Sequence, residues 1–125
     1  MTLSESISTC FAKFATFQGR ASRSEYWWFI LAVTIFTYLL QIVVGITTLT
    51  DADEGLGAAI GMNIIVWILF IPEISAGSRR LHDVGKSGWW QLIAFTVIGL
   101  IPLIIWMARV GDKEPNRFGD PITES

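Results

Sequence analysis

The chain contains one cysteine and one histidine among its 125 residues. The single cysteine, Cys10, excludes an internal disulfide and a metal site built from four cysteines. The single histidine, His82, excludes a site with two histidine ligands, and no serine or cysteine nucleophile signature accompanies it. The sequence therefore predicts no metal and no cofactor, and it disfavours an enzyme.

Charged residues are absent from three long stretches, at 26–50, 55–72 and 87–108. A helix needs roughly 20 apolar residues to cross the hydrocarbon core of a bilayer, so each stretch is near that length. With 52% hydrophobic residues and a mean hydropathy of +0.52, the composition is too apolar for an ordinary soluble domain. The polar remainder is short and leaves no room for an extramembrane catalytic domain.

These features predict an all-α, polytopic membrane protein that forms one domain over residues 1–125. The expected order is an N-terminal amphipathic interfacial helix at 1–18, three transmembrane helices at 26–50, 55–76 and 87–108, and a polar tail at 109–125. In the first segment, apolar residues recur every three or four positions, and Thr2 followed by Glu5 resembles a capping box. This helix either lies in the membrane interface or packs on the end of the bundle.

Turn and capping residues mark the ends of the predicted helices. Gly19 is expected to end the first helix, and Ser22 with Glu25 forms a second capping box before the first span. Gly85 and Ser87 are expected to stop one helix and start the next. The second and third spans would then be joined as a tight helical hairpin.

The distribution of basic residues predicts the orientation. The N-terminal segment and the second loop each contain three basic residues, whereas the first loop has only the acidic residues Asp51, Asp53 and Glu54. By the positive-inside rule, the N-terminus and the second loop are cytoplasmic. Three spans then place the C-terminal tail on the opposite side, although the tail carries three further basic residues.

Three short motifs carry a family resemblance. They comprise Phe17, Gly19, Arg20, Ala21, Ser22, Arg23, Glu25, Tyr26 and Trp27, then 79–83 with 86–90, then 116–119. In this order and covering nearly the whole chain, they resemble the domain of unknown function 805 family, the YhaH-like bacterial inner membrane proteins. The resemblance implies a multi-pass protein of the bacterial cytoplasmic membrane and brings no activity, cofactor or substrate with it.

In the predicted topology the first two motifs face the cytoplasm and form an arginine-rich face from 19–28 and 79–90. The candidate site residues on this face are Arg20, Arg23, Glu25, Arg79, Arg80, His82, Asp83 and Lys86. Such a cluster is typical of a pocket for anionic phospholipid headgroups, because guanidinium groups offer paired donors to phosphate. In the alternative interpretation, the arginines only set topology and reach towards the headgroups, Glu25 caps a helix, and Asp83 pairs with Arg79 one turn away.

The sequence thus predicts a non-enzymatic interaction or regulatory protein whose partners are the lipid bilayer, anionic lipid or other membrane proteins, and not nucleic acid. His82 and Asp83 are neighbours, but adjacent residues on a helix point about 100° apart and do not form a catalytic dyad. A small lipid-modifying enzyme, or an oligomeric transport or channel component, is the alternative. A homo-oligomer is compatible with the sequence.

Overall fold

The computed structural model describes residues 2–122, and this part of the chain is helical with no β-strand. The all-α prediction is confirmed. The elements in order are α1 (Leu3–Ala12), α2 (Arg23–Thr50), α3 (Ala52–Asp83), a 3-10 helix (Gly88–Phe95) and α4 (Val97–Ala108).

The predicted capping residues begin the helices as expected. The hydroxyl of Thr2 accepts from the Glu5 amide, and that of Ser22 accepts from the Glu25 amide at 3.1 Å. Gly19 and Gly85 both have positive φ angles, +91° and +77°, a conformation that glycine adopts without steric cost. Gly85 follows the end of α3 as expected, but α1 already ends at Ala12, so the expectation that Gly19 ends the first helix is wrong.

Helices α2 and α3 form the antiparallel pair at the centre of the molecule. Each is long and apolar enough to cross a membrane. At 28 and 32 residues they are about 42 and 48 Å long, so both exceed a hydrocarbon core of about 30 Å. The last turns of α3 therefore extend beyond its apolar part and carry the charged residues 79–83.

Helix α1 packs across one end of this pair. Cys10 is fully buried and forms a hydrophobic cluster with Phe29, Val33 and Ala76. The ring of Phe11 meets that of Phe29 edge to face at 5.6 Å. The helix is shorter than the predicted 1–18, and it packs on the bundle while Phe11 keeps an exposed face that suits the membrane interface.

The third apolar region is a hairpin of two short helices. The 3-10 helix and α4 are separated by Thr96, whose extended backbone breaks the helix. The side-chain amide of Gln91 donates to Ser78 Oγ at 2.9 Å, and Arg80 Nε donates to the carbonyl of Met107 at 2.9 Å. Because Ser78 and Arg80 are two residues apart on α3, the start and the end of the hairpin lie at the same level along this helix.

The C-terminal tail consequently lies at the same end of the molecule as residues 79–90. The amide of Asp112 donates to the carbonyl of Asp83 at 2.6 Å, and Asn116 Nδ2 donates to that of His82 at 3.0 Å. The expectation that the tail lies on the opposite side is therefore wrong. The tail lies at this end because the turn at Thr96 reverses the chain after about half the length of a full span.

Candidate functional site

Three segments that are distant in sequence meet at one end of the bundle, which we call the motif end: residues 19–25, 79–88 and 109–119. The first contains the end of the linker after α1 and the first turn of α2, the second contains the last turn of α3, and the third follows α4. The amide of Ala21 donates to the carbonyl of Arg79 at 2.9 Å, which joins the first two directly. The predicted convergence of the first two motifs is present, but the charged groups face inward.

Arg79 is the most enclosed charged residue of the motif end. Its side chain is 0% exposed, and Nη1 lies 2.6 Å from Glu25 Oε2. Glu25 is itself buried at the first turn of α2. The other guanidinium nitrogens, Nε and Nη2, are buried without a hydrogen-bond partner among residues 2–122. This ion pair joins the end of α3 to the start of α2, and its attraction is stronger than that of an exposed pair because the buried surroundings have a low dielectric constant.

Arg80 joins α3 to both neighbouring segments. Nη1 contacts Asp83 Oδ2 at 2.6 Å and donates to the carbonyl of Ala21 at 3.1 Å. Nε donates to the carbonyl of Met107, and Nη2 donates to that of Arg109. A planar guanidinium can satisfy acceptors in several directions at once, which an ammonium group cannot do with the same geometry. Arg80 is therefore bound internally on every donor nitrogen.

Arg20 completes the network from the other side of Asp83. Nη2 lies 2.7 Å from Asp83 Oδ1, and Nε donates to the same oxygen at 2.8 Å. Nη1 donates to the carbonyls of Glu114 and Gly119 at 3.2 and 3.3 Å. One buried carboxylate thus serves two arginines, and Arg20 also anchors the tail.

His82 forms the outer layer of the motif end. Its Nδ1 lies 2.8 Å from the carbonyl of Gly19, and because a carbonyl only accepts, Nδ1 carries the proton. The ring stacks on Phe118 with centroids 4.0 Å apart and planes 3° apart. Asn116 holds this arrangement by donating to the carbonyl of His82 and by accepting from the Phe118 amide at 2.9 Å.

Cys10 and Ser6 attach α1 to the same region. The hydroxyl of Ser6 donates to the carbonyl of Glu25, and Cys10 Sγ lies 3.9 Å from that oxygen. Burial, reinforced by the nearby Glu25 carboxylate, raises the pKa of Cys10 to about 11. The thiol is therefore protonated at neutral pH and acts as a small packing group.

One predicted pairing is wrong. Asp83 was expected to pair with Arg79, but it binds Arg80 and Arg20, while Arg79 turns to Glu25. Arg79 and Asp83 are four residues apart on α3, a spacing that allows them to pair. Because α2 packs against α3, Arg79 instead pairs with Glu25 of α2, and helical spacing alone does not reveal this partner.

All eight predicted site residues lie at the motif end, but at different depths. Arg23 and Lys86 are half-buried, with Lys86 Nζ 5.1 Å from the ring centroid of Trp106, and six are buried: Arg20, Glu25, Arg79, Arg80, His82 and Asp83. Sequence analysis did not select the tail residues Asp112, Asn116 and Phe118. The only signal for them was their place in the third motif.

The remaining basic residues of the motif end are exposed. Lys13, Arg109, Lys113 and Arg117 lie on its surface. With the three buried and two half-buried residues above, all nine lysines and arginines of the chain are at this end. The opposite end, around the junction of α2 and α3, carries Asp51, Asp53 and Glu54. The two ends of the molecule are therefore opposite in charge character.

Comparison with known proteins supports the motif assignment. The family model described as "Protein of unknown function (DUF805)" matches residues 14–120, a range that includes all three segments of the motif end. The chain belongs to the DUF805 family. Inner membrane protein YhaH of Escherichia coli K12 is 38% identical over 114 residues, covering 86% of this chain and 88% of the relative.

A second DUF805 relative, inner membrane protein YhaI of Escherichia coli K12, is 32% identical over 105 residues, covering 83% of each chain. No solved structure matches. Together with the two helices that can cross a membrane, these relatives identify the chain as an inner membrane protein. In this DUF805 chain, the motif end contains a set of buried ion pairs.

Proposed function

We propose that this DUF805 protein is a non-enzymatic inner membrane protein whose motif end faces the cytoplasm and binds anionic lipid headgroups through its exposed basic residues. The observation that carries the proposal is the location of all nine lysines and arginines at one end of the molecule. The opposite end has only acidic charge at the junction of α2 and α3.

The orientation follows from this asymmetry. Basic residues near membrane segments are retained on the cytoplasmic side. The three basic residues of the tail opposed this orientation when three full spans were expected. With the tail folded back against Arg20 and Asp83, they support it. We infer that both termini are cytoplasmic and that the junction at Asp51 is periplasmic.

The buried arginines are not the lipid ligands in this proposal. Arg80 is fully enclosed and bound to Asp83 and three carbonyls, so a phosphate would have to displace internal partners. Exposed cations beside the bilayer attract anionic lipid at about 1 kcal/mol each without such a cost. Lys13, Arg109, Lys113 and Arg117 are the exposed set, and the ion pairs beneath fix the backbone that carries them.

The test compares lipid retention by native mass spectrometry in nanodiscs that contain phosphatidylglycerol and phosphatidylethanolamine. The test variant combines Lys13→Gln, Arg109→Gln, Lys113→Gln and Arg117→Gln, and the control combines Asp53→Asn and Glu54→Gln. We expect the test variant to lose the selective retention of phosphatidylglycerol and the control to keep it. Equal retention by the test variant and the unmodified protein would overturn the proposal.

A further inference from the structure

A cavity lies between the linker after α1, the last turns of α3 and the 3-10 helix, and we propose that it binds the headgroup of an uncharged membrane lipid that ends in a hydroxyl group. Its volume of ≈ 560 Å³ falls inside the range of about 300–1,000 Å³ that is usual for ligand pockets. The lining residues that matter to the argument are Phe17, Ser78, His82, Gln91 and Leu92.

The lining excludes a charged ligand. Among residues 2–122, the lining contains no lysine, arginine, aspartate or glutamate, although residues of all four types lie elsewhere at the motif end. The closest arginines in sequence, Arg79 and Arg80, are turned away and bound to Glu25 and Asp83. Burying a phosphate without a cationic partner costs far more than burying a neutral head. The cavity therefore selects against the anionic lipids that the exposed basic residues attract.

The side chain of His82, which lines the cavity, offers a hydrogen-bond acceptor to a ligand. Because His82 Nδ1 carries the proton that it gives to Gly19, the neutral ring presents Nε2 as an acceptor. Gln91 donates through Nε2 to Ser78 Oγ and to the carbonyl of Ile74, and its Oε1 lies against Gly77 of α3, so Gln91 is held by α3. Among residues 2–122, the His82 ring makes its side-chain hydrogen bond through Nδ1 and none through Nε2. A hydroxyl group is a neutral lipid group that can donate to this nitrogen.

The walls of the cavity suit the apolar part of the same ligand. Phe17, Ile74, Trp89 and Leu92 line it, and Trp89 and Leu92 are also exposed on the outer surface of the hairpin. Aromatic side chains with one polar atom favour the level of the lipid headgroups. A lipid can therefore place its hydroxyl near His82 while its chain passes Leu92 into the bilayer.

Two lipid classes share this chemistry, diacylglycerol and long-chain isoprenoid alcohols, and the experiment distinguishes them. The purified protein in nanodiscs is photolabelled with a diazirine diacylglycerol and with a diazirine phosphatidic acid of the same chains. Unlabelled diacylglycerol and unlabelled polyprenol are the two competitors. We expect the diacylglycerol probe to label residues of the cavity and the phosphatidic acid probe to label them about tenfold less.

A variant that fills the cavity tests whether the lipid binds there. Leu92→Trp occupies the cavity without removing a hydrogen bond, and Leu56→Trp makes the same change on an exposed position near the opposite end. We expect Leu92→Trp to lower cavity labelling about tenfold and Leu56→Trp to leave it unchanged, with both variants retaining the thermal stability of the parent. Equal labelling by the phosphatidic acid probe, or unchanged labelling in Leu92→Trp, would overturn the inference. Neither result depends on phosphatidylglycerol retention by the exposed basic residues.

Discussion

Arg20 and Asp83 are 63 residues apart in sequence and form a buried ion pair in which two guanidinium nitrogens lie 2.7 and 2.8 Å from one carboxylate oxygen. The other carboxylate oxygen binds Arg80 at 2.6 Å. With the Arg79–Glu25 pair, three buried guanidinium groups are matched by two carboxylates. Backbone carbonyls supply the remaining acceptors, so the network holds the linker, α3 and the tail together.

Replacing Asp83 with asparagine should therefore be strongly destabilising. Two buried guanidinium groups would lose their common counter-charge, and breaking a buried pair in this way costs about 3–5 kcal/mol. Thermal unfolding in detergent measures the effect. Asp120→Asn, at an exposed carboxylate in the same tail, is the matched control and should change stability by less than about 0.5 kcal/mol. Similar melting temperatures for the two variants would contradict this account of the network.

The pair formed by Arg79 and Glu25 allows a sharper comparison. Arg79→Met alone leaves a buried carboxylate unpaired, and Glu25→Leu alone leaves a buried guanidinium unpaired, so each should cost about 3–5 kcal/mol. The double variant removes both charges and should recover most of that loss, because apolar groups of similar volume pack well in such positions. The cycle is measured by the same unfolding assay. Additive losses in the double variant would show that the two side chains do not act as a pair.

Much of this architecture follows from local sequence signals. The charge-free stretches predicted α2 and most of α3, and Ser22 and Gly85 marked helix ends that the structure contains. Those signals act over a few residues, so they are visible in one sequence. The partners of Arg79 and Arg20 depend instead on how distant helices pack. Sequence placed these arginines at a lipid-facing surface because basic residues beside a span usually lie there.

Gly111 tests the close approach of the tail to α3. A side chain built at this position would overlap the carboxylate of Asp83, so Gly111→Ala has to displace the acceptor of two arginines. We expect a loss of about 1–3 kcal/mol. Gly57→Ala in α3 has open space around the new methyl group and should be neutral or slightly stabilising. An equally mild effect of both substitutions would argue against the observed packing of residue 111.

Cys10 should react very slowly with thiol reagents in the folded protein. Burial raises its pKa to about 11, so at pH 7 only about one thiol in ten thousand is ionised. Because the pKa is raised, the ionised fraction and the reactivity should increase about tenfold with each pH unit above 7 and level off only above about pH 11. Iodoacetamide labelling followed by mass spectrometry measures the rate. The variant Cys10→Ser/Ser8→Cys moves the thiol to an exposed position of α1, and labelling of the native thiol at the same rate would disprove its burial.

The hairpin is the feature that sequence patterning could not supply. Residues 87–108 have the length and apolarity of a full span, and those two properties are shared by a segment that crosses and one that turns back. The deciding contacts are tertiary, between Gln91 and Ser78 at one end and between Met107 and Arg80 at the other. The basic residues of the tail did indicate that residues 87–108 turn back, since three crossings would place those residues outside, against the positive-inside rule.

The return of the hairpin makes a direct prediction about membrane sidedness. In a Cys10→Ala background, Gln18→Cys, Asp53→Cys and Asp120→Cys report on the linker, the α2–α3 junction and the tail, all at exposed positions. We expect a membrane-impermeant maleimide to label only Asp53→Cys in intact spheroplasts, and all three after permeabilisation, because Arg20 and Asp83 hold the tail beside the linker. Labelling of Asp120→Cys but not Gln18→Cys in intact spheroplasts would mean that residues 87–108 cross the bilayer completely.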